Sequence, residues 1–426
     1  MGKILKRIFV LLLLLHPFKI YSQDTCCHKN YVKPVVWSVS INGLVYSFDR
    51  IVSKSKVNAN PFKAALNNIN GKYVFDTSLF ITNFIGHPYH GALYTMAARS
   101  NGLSYYMAIP YNFLGSYIWE IGAEAELPSI NDLIVTPLSG VMVGEMLFRV
   151  SESFYHSSSK AKKIASYVIN PISIVERNVF KNGNTIPDNG SSFNVGLSAI
   201  LSGRKVIPNV FIDTKYGEQF EDNSKPMDWF NLYAEASFDR KIYMTKVNST
   251  GSLYSVSRNN MVYGIYQHFN YYADNSSEKR GEFNYKIAEP VSVGPGIGYK
   301  AKGLTTSLYI SDVLLGAYDN DRFKGRNYNL ATGFSVRQCN TFSIGNHMGI
   351  SLESVYYKFF TPSERMGDVG NADILIFSPS INCSIDSHYN IVLDYSWIYM
   401  NRRYKHFNDR ENNTHRIRLG IGYKFW

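Results

Sequence analysis

The chain has 426 residues, of which 15% are aromatic, including 32 Tyr and 26 Phe. Its mean hydropathy is only −0.17, and it contains no uninterrupted apolar run of about twenty residues, so an α-helical inner-membrane protein is disfavoured and an outer-membrane β-barrel is favoured. The formal net charge of +11 would suit anionic lipid head groups or a solvated surface of basic loops.

The start of the chain has the pattern of an export signal. Three basic residues precede a short apolar core at 8–15, and small-residue cleavage is expected near Ser22. We therefore assign residues 1–22 to a signal peptide. Lipid attachment at Cys26 is an alternative that the preceding Asp24 and Thr25 fit poorly, and an uncleaved anchor is a third. The basic residues are Lys3, Lys6 and Arg7.

Four cysteines remain after such cleavage, and an oxidising envelope would permit disulfides among them. The first two are neighbours and cannot readily bridge each other, and the last two fall in different predicted strands. None has metal-ligand spacing, so structural or free thiols are expected. The four are Cys26, Cys27, Cys339 and Cys383.

Residues 23–60 form a mixed lead-in, with one alternating run at 35–48 that could be a strand or an extended segment. Residues 61–178 change to helical spacing of apolar positions and predict a helical domain. Pro110 and Pro137 should kink or interrupt two of its helices. The predicted helices are 73–85, 88–98, 103–121, 129–153 and 161–175.

From about residue 190 onward the period of apolar residues becomes two, as in 389–399, where aromatic and aliphatic residues share one face. One apolar and one polar face per strand is what lipid outside and water inside a barrel require. Residues 190–426 therefore predict a transmembrane antiparallel β-barrel of about twelve strands. A secreted soluble β-sandwich is the alternative.

The last predicted strand supports the barrel. Ile417, Leu419, Ile421, Tyr423 and Phe425 lie on one face, and the opposite face is basic. The chain ends in an aromatic residue, Trp426, which resembles the C-terminal signature that the barrel-assembly machinery recognises. The basic residues are Arg416, Arg418 and Lys424. The fold class is therefore α+β, a barrel preceded by a helical domain that caps or plugs it.

One stretch of the helical domain, 86–149, is too particular for such periodicity to explain. Ser129 and Asp132 form a capping box at a helix start, and Gly140 and Gly144 follow on the same face. Two glycines at this spacing allow another backbone to approach closely. This structural account competes with a catalytic role for Asp132.

Two further residues of this stretch are candidates. Glu120 lies in an apolar run and must find a partner or be neutralised. The partner could be Arg99 or Arg149 in a structural pair, or a histidine in an acid–base pair. His90 follows His87 at a spacing of three, which is a weak metal signal because Pro88 lies between them.

The motifs GHPYHG, AARSNG, Trp119-Glu120, PSINDL and Gly144-Glu145, within 83–153, resemble an uncharacterised family of bacterial outer-membrane proteins known only as a domain of unknown function. The downstream GIYQHFNYY and GPG at 264–272 and 294–296 resemble it too. The resemblance implies an outer-membrane barrel but no established activity.

A fainter similarity is to the VanZ-like family of small helical membrane proteins, associated with glycopeptide resistance. Its pattern of a helix histidine, a later glutamate and a serine–aspartate–glycine helix is matched here, except that Thr136 stands where asparagine is usual. The similarity implies that His90, Glu120 and Asp132 converge between packed helices. The matching residues are His90, Glu120, Ser129, Asp132, Gly140 and Gly144.

If His90, Glu120 and Asp132 converge, a carboxylate near the histidine should raise the imidazole pKa and create a proton-transfer pair. Such a pair suits ester or phosphoester chemistry on an envelope lipid. If they only tie helices together, each alanine substitution should damage folding.

Three functions fit these observations: an envelope structural or assembly role, an envelope-lipid or cell-wall-modifying enzyme using His90, Glu120 and Asp132, and a gated channel. The expected location is the outer membrane of a Gram-negative bacterium. The expected partners are outer-membrane lipids and the barrel-assembly machinery. No cofactor, metal or nucleic-acid partner is predicted, because the chain contains no P-loop, dinucleotide or zinc signature.

Overall fold

The computed structural model describes residues 29–54, 57–180, 190–202, 205–239, 241–274, 285–320, 326–345 and 347–425. The predicted signal peptide, Cys26, Cys27 and Trp426 lie outside these residues. The chain divides into two compact units, a helical unit and a barrel unit. The barrel unit comprises Asn189–Trp426 together with the short segment Leu79–Phe84.

The described part of the helical unit contains seven α-helices and two complete π-helical turns, Asp49–Ser53 and Trp119–Ala123; a third, Thr82–Gly86, spans the boundary between the units. The helices are α1 (Lys33–Phe48), α2 (Pro61–Asn68), α3 (His87–Ser100), α4 (Tyr105–Ile118), α5 (Asp132–Tyr155), α6 (Lys160–Ile169) and α7 (Ile172–Asn178).

The run at 35–48, expected to be a strand or extended, is helical and belongs to α1. The side chain of Asn30 accepts the backbone N–H groups of Val32 and Lys33 at 3.0 and 2.9 Å, and Pro34 occupies the first turn, where its missing N–H costs nothing. The alternation misled because this helix has both apolar and polar residues on its buried side and exposes valines on the other.

The helix predicted at 73–85 is also wrong in its first half. Val74 instead exchanges backbone hydrogen bonds with the segment before α5, accepting from Ile130 at 2.7 Å and donating to Pro128 at 3.0 Å. Neither predicted proline break ends a helix, since α4 continues through Pro110 and α5 through Pro137.

Helices α3 and α5 pack against each other through glycines. A Cβ atom added to Gly140 would lie 2.5 Å from the Cα of Gly91, and one added to Gly144 would lie 2.7 Å from the carbonyl oxygen of Ala92. Only residues without a side chain allow the two backbones to approach this closely. The sequence prediction of a close helix contact at Gly140 and Gly144 is confirmed.

The barrel unit is a closed antiparallel barrel of twelve strands, in which each strand pairs with its neighbour in sequence and β1 pairs with β12. The fold class and the strand number predicted from sequence are confirmed. The strands are β1 (Ser191–Ser202), β2 (Lys205–Tyr216), β3 (Phe230–Asp239), β4 (Lys241–Arg258), β5 (Met261–Ala273), β6 (Lys286–Ala301), β7 (Leu304–Asp319), β8 (Tyr328–Ile344), β9 (Met348–Thr361), β10 (Gly370–Ser384), β11 (Tyr389–Tyr404) and β12 (Arg410–Lys424).

The two faces of the wall differ as predicted for β12. Ile417, Leu419, Ile421 and Tyr423 are exposed on the outside, while Arg416 and Arg418 line the lumen. Cys339 and Cys383 are free thiols in β8 and β10. The segment Leu79–Phe84 belongs to this unit through ring contacts, including Phe80 with Tyr271 at 5.2 Å.

The lumen is crossed by polar contacts between distant strands. The amide of Asn248 in β4 donates to both carboxylate oxygens of Glu353 in β9 at 2.9 and 3.0 Å, and Arg337 in β8 donates to Asn248 at 3.0 Å. On one side of this bridge lies a polar cavity of about 1100 Å³.

On the other side, inward-facing apolar residues form a buried cluster. They include Val313 of β7, Val355 and Phe359 of β9, Ile374 of β10 and Met400 of β11, all of which are fully buried or nearly so. The polar bridge and this cluster both place side chains inside the lumen of the described barrel.

Candidate metal centre

Five ionisable side chains of the helical unit converge in two overlapping groups. Possible ligand atoms of His87, Glu120 and Asp132 lie within 4.8 Å of one another. Those of Asp76, Glu124 and Asp132 lie within the same distance, so Asp132 belongs to both groups. All except Glu124 are buried, and Glu124 is half-buried. We call these five residues the acid–histidine centre.

The local structure of four elements brings these residues together. His87 is the first residue of α3 and Asp132 the first residue of α5. Glu120 lies in the π-helical turn after α4, and Glu124 follows that turn in extended backbone. Asp76 lies in the irregular segment that pairs with residues 128–130 through Val74.

Only one of the two contacts of the predicted capping box is formed. The Ser129 hydroxyl accepts the backbone N–H of Asp132 at 3.2 Å, as expected. The reciprocal contact comes from another residue, because the backbone N–H of Ser129 donates to Oε2 of Glu120 at 2.7 Å. The carboxylate of Asp132 lies beside His87, with Oδ2 3.7 Å from Nε2.

Neighbouring polar groups orient these ligand atoms. Nδ1 of His87 lies 3.2 Å from the Thr136 hydroxyl, and a hydrogen on Nδ1 donated there leaves the lone pair of Nε2 facing Asp132. The amide of Asn131 donates to both Asp76 and Asp132, at 2.7 and 2.8 Å. Hydrogen-bonded ligands of this kind are typical of the surroundings of bound metals.

Two buried carboxylate oxygens of the centre, Oε1 of Glu120 and Oε2 of Glu124, have no donor among the described residues other than each other's carboxyl group. No described lysine or arginine forms an ion pair with either glutamate. A buried carboxylate without a donor or counter-charge is costly, so it must be protonated or must bind a cation.

The pKa values of the glutamates reflect this crowding. Burial raises the pKa of Glu120 well above its usual range, and the negative charges of Asp132 and Glu124 raise it further. Burial also raises the pKa of Glu124 to about 7, although His87 opposes the shift. Without a cation, the two carboxyl groups therefore retain protons at pH values where exposed glutamates are ionised.

His90 lies outside both groups. Its Nε2 is 2.8 Å from the Tyr94 hydroxyl, and its ring packs edge-on against Trp119 at 5.0 Å. The expectation that a carboxylate raises its pKa is wrong, because burial and the neighbouring His87 lower the pKa to about 3. The structure thus brings Glu120 and Asp132 together, with His87 rather than His90 beside them.

The suggested structural partners of Glu120 pair with another carboxylate. Arg99 and Arg149 both lie against Glu145, at 2.7 and 2.8 Å. Glu145 is as deeply buried as Glu120, yet it has two guanidinium partners. The helical unit therefore contains both a neutralised acid and a set of acids without such neutralisation.

Sequence reasoning missed three members of the centre. His87 carried a signal in the His87-Pro88-x-His90 spacing, but the proline obscured which residue would face inward. Glu124 follows Glu120 by four residues, which would mark a shared face only in a regular helix. Asp76 carried no local signal, because its place depends on the pairing of Val74 with Ser129.

The residue types suit a divalent cation. One imidazole nitrogen and several carboxylate oxygens are a donor set for Zn²⁺, Fe²⁺ or Mn²⁺, whereas soft thiolate ligands are absent from the groups. The sharing of Asp132 between two groups would allow one ion or a bridged pair.

Comparison with known proteins supports one family. Residues 72–172 match the family described as "Domain of unknown function (DUF3943)". All five residues of the acid–histidine centre lie inside the matched segment, whereas the downstream motifs of the barrel lie outside it. The resemblance predicted from the motifs of this segment is confirmed. The fainter similarity to the VanZ-like family stays a prediction.

No curated protein matches the chain by sequence. Among solved structures, OmpT, an outer membrane protein of Vibrio cholerae, aligns with a TM-score of 0.29 and 6% identity, covering 55% of this chain and 97% of that one. The NanC porin aligns with a TM-score of 0.32 and 9% identity, covering 54% and 98%. The outer membrane channel DcaP of Acinetobacter baumannii aligns with a TM-score of 0.24 and 10% identity, covering 55% and 96%.

Proposed function

We propose that this protein is an outer-membrane barrel whose helical unit binds a divalent metal ion at the acid–histidine centre. The observation that carries the proposal is the pair of buried carboxyl groups of Glu120 and Glu124, which hydrogen-bond to each other and have no cationic side chain among the described residues as a partner. A bound cation would supply the missing positive charge for both and for Asp132. His87 would add a neutral nitrogen ligand through Nε2.

The contrast with Glu145 supports binding over a purely structural role. Where the helical unit uses a buried carboxylate to hold helices together, it provides arginines for it, as with Arg99 and Arg149 around Glu145. Glu152 is likewise paired, with Arg177. The acid–histidine centre has four acids and one histidine, so it is built for a cation that comes from solution.

The location proposed for the protein is the outer membrane of a Gram-negative bacterium. Barrels of this membrane have short periplasmic turns and longer external loops. Four short connections, 259–260, 302–303, 345–347 and 385–388, lie at the barrel end that holds the start of β1. Four longer ones, 274–285, 320–327, 362–369 and 405–409, lie at the other end; the exceptions are the long loop 217–229 at the first end and the short connections 203–204 and 240 at the second.

A titration with metal ions tests the main proposal. Full-length protein folded in detergent and freed of metal by a chelator should bind Zn²⁺ or Mn²⁺ with a measurable heat and a defined stoichiometry. Glu120→Gln and Asp132→Asn should lose this binding, whereas Glu145→Gln should retain it. Binding that persists unchanged in both ligand variants would refute the assignment.

A second candidate is proton-transfer chemistry on an ester or phosphoester of an envelope lipid. It is favoured by Glu124, because this residue is half-buried and its pKa is raised to about 7, close to the value that suits a general base. Lipid profiling of a deletion strain tests it. An altered lipid that wild type corrects, and that a well-folded Glu124→Gln variant leaves altered, would support chemistry; an unchanged profile would exclude it.

A further inference from the structure

The outer surface of the helical unit carries exposed apolar side chains on α1. We call them the valine face, formed by Val32 just before the helix and by Val35, Val36, Val39 and Leu44, with Ser40 and Ser47 exposed among them. Val36 is 58% exposed and Leu44 67%. The only charged residue of this helix is Lys33, which is half-buried, so the valine face contains no exposed charge.

The buried side of the same helix combines apolar and polar groups. Ile41, with Trp37 and Val45 beside it, packs into a hydrophobic cluster of the helical unit. Asn42 donates from its side chain to the carbonyl of Gly115 at 3.0 Å and accepts from the Tyr94 hydroxyl. Helix α1 is therefore apolar on its exposed side as well as in the core, unlike a helix whose outer face meets water.

The valine face continues onto the end of α7. Lys33 lies 4.1 Å from the ring centroid of Phe180, which places Val179 and Phe180 beside the first turn of α1. Both are exposed. Helix α6 carries a similar combination, with Ile164 and Val168 exposed. Its first turns contain Lys160, Lys162 and Lys163.

The exposed charges of the helical unit are mostly positive. Of its described residues, six exposed side chains are basic and one, Glu126, is acidic. Basic residues beside an apolar helix face are the combination that binds anionic lipid head groups. The six are Arg50, Lys54, Lys63, Lys72, Lys160 and Lys163.

From the exposed apolar residues of α1 and the predominance of positive exposed charge we infer that the helical unit docks on an anionic lipid leaflet, with the valine face immersed among the acyl chains. At about 1.5 Å per residue the 16 residues of α1 extend over roughly 24 Å, less than the hydrocarbon core of about 30 Å, so the helix lies along the leaflet. The barrel of the same chain provides a bilayer wherever the folded protein resides. This inference does not depend on the acid–histidine centre.

Photocross-linking of the full-length protein tests the docking. Benzoylphenylalanine is placed at Val39 or Leu44, and the protein is folded into vesicles of phosphatidylethanolamine and phosphatidylglycerol. Both positions should form adducts with the mass of one phospholipid. The matched control places the probe at Glu126, the exposed acidic position, where lipid adducts should be absent.

Three outcomes would overturn the inference: adducts from Val39 and Leu44 to another copy of the protein, adducts to residues 1–28 of the same chain, or lipid adducts that are equal at Glu126. A shift in electrophoretic mobility between unheated and heated samples verifies that each variant has a folded barrel. Failure of this test would leave metal binding unaffected, since the titration described above measures a different group of residues.

Discussion

Glu120 and Glu145 are both fully buried carboxylates of the helical unit, but their surroundings differ completely. Glu145 lies between Arg99 and Arg149. Glu120 has one backbone donor, Ser129, and otherwise faces other acids and His87. The same residue type therefore serves two purposes within one domain, and only the partners distinguish them.

Exchanging each glutamate for glutamine should separate these purposes. Glu145→Gln leaves two buried guanidinium groups without their counter-charge, which should lower the free energy of unfolding by about 3–5 kcal/mol while metal binding persists. Glu120→Gln should abolish metal binding without lowering the stability of the metal-free protein. Thermal melts and calorimetric titrations of both variants measure the two effects. Equal destabilisation of both would indicate that Glu120 is structural.

The metal-free helical unit should lose stability as pH rises. The pKa of Glu124 is raised from 4.5 to about 7 in the folded protein, so the folded state holds more protons than the unfolded state between these values. The free energy of unfolding therefore falls as pH increases through this window. Metal binding displaces the same protons, so stabilisation by metal should grow over the same range.

Melting the protein with chelator and with Zn²⁺ at pH 5 and pH 8 checks both trends. Glu124→Gln supplies the control, because it should remove much of the pH dependence of the metal-free protein. A metal-free protein that is more stable at pH 8 than at pH 5 would contradict the raised pKa.

The candidate residues show how far sequence reasoning could reach. Glu120 and Asp132 could be found because a carboxylate in an apolar run and a helix-start aspartate are locally unusual. The choice between His87 and His90 could not be made, since it depends on how α3 turns after the π-helical stretch Thr82–Gly86. The capping role of Glu120 depends on a tertiary contact with Ser129 and leaves no local pattern.

At the scale of elements, α5 is the central helix of its unit. It is the one described helix long and apolar enough to cross a membrane, and 78% of its most apolar window is buried within the protein. Its close contact with another helix at Gly140 and Gly144 was predictable, because two glycines four residues apart allow a second backbone to approach. That this helix is α3, at Gly91, is seen only in the structure. The helical conformation of α1 was not predictable from the alternation, because the apolar and polar residues of this helix do not follow the helical period.

Gly144→Leu should disrupt the contact between α3 and α5. A Cβ at this position would lie 2.5 Å from the Cβ of Thr95 and 2.7 Å from the carbonyl oxygen of Ala92, so the helices must separate. We expect a loss of about 1–3 kcal/mol in the free energy of unfolding and a lower folded yield. Gly43→Leu is the matched control, because no atom lies within 4 Å of the added Cβ. Wild-type stability in Gly144→Leu would contradict the close packing.

At the scale of the whole molecule, the barrel was the most predictable feature. Alternation with a period of two is repeated in many strands, so an error in the bounds of one strand has little effect on the predicted strand number. The interior could not be predicted, because the bridge from Asn248 to Glu353 joins residues 105 positions apart. The predicted gated channel stays a prediction.

We expect purified protein in planar bilayers to show no steady ionic current, because the apolar cluster around Phe359 and the bridge at Glu353 both lie inside the lumen. Recording at low voltage in 1 M salt, with a general porin as positive control, measures this directly. Reproducible unitary steps of current would contradict this expectation.

The protein should fractionate with the outer membrane and should migrate differently in gels before and after heating. Closed barrels resist detergent until heated, because all their backbone hydrogen bonds are made between neighbouring strands. Recovery of the chain as a soluble periplasmic protein would exclude the proposed location.

The contact between Glu120 and Ser129 links the acid–histidine centre to the longest helix. One carboxylate oxygen faces the cluster of acids, and the other holds the backbone amide just before α5. A displacement of the first oxygen also moves the second, because both are bonded to the same carbon. Metal binding at the centre should therefore stabilise the start of α5, and amide hydrogen exchange should detect this. Amides at 129–134 should exchange more slowly with metal present, and Glu120→Ala should abolish that protection.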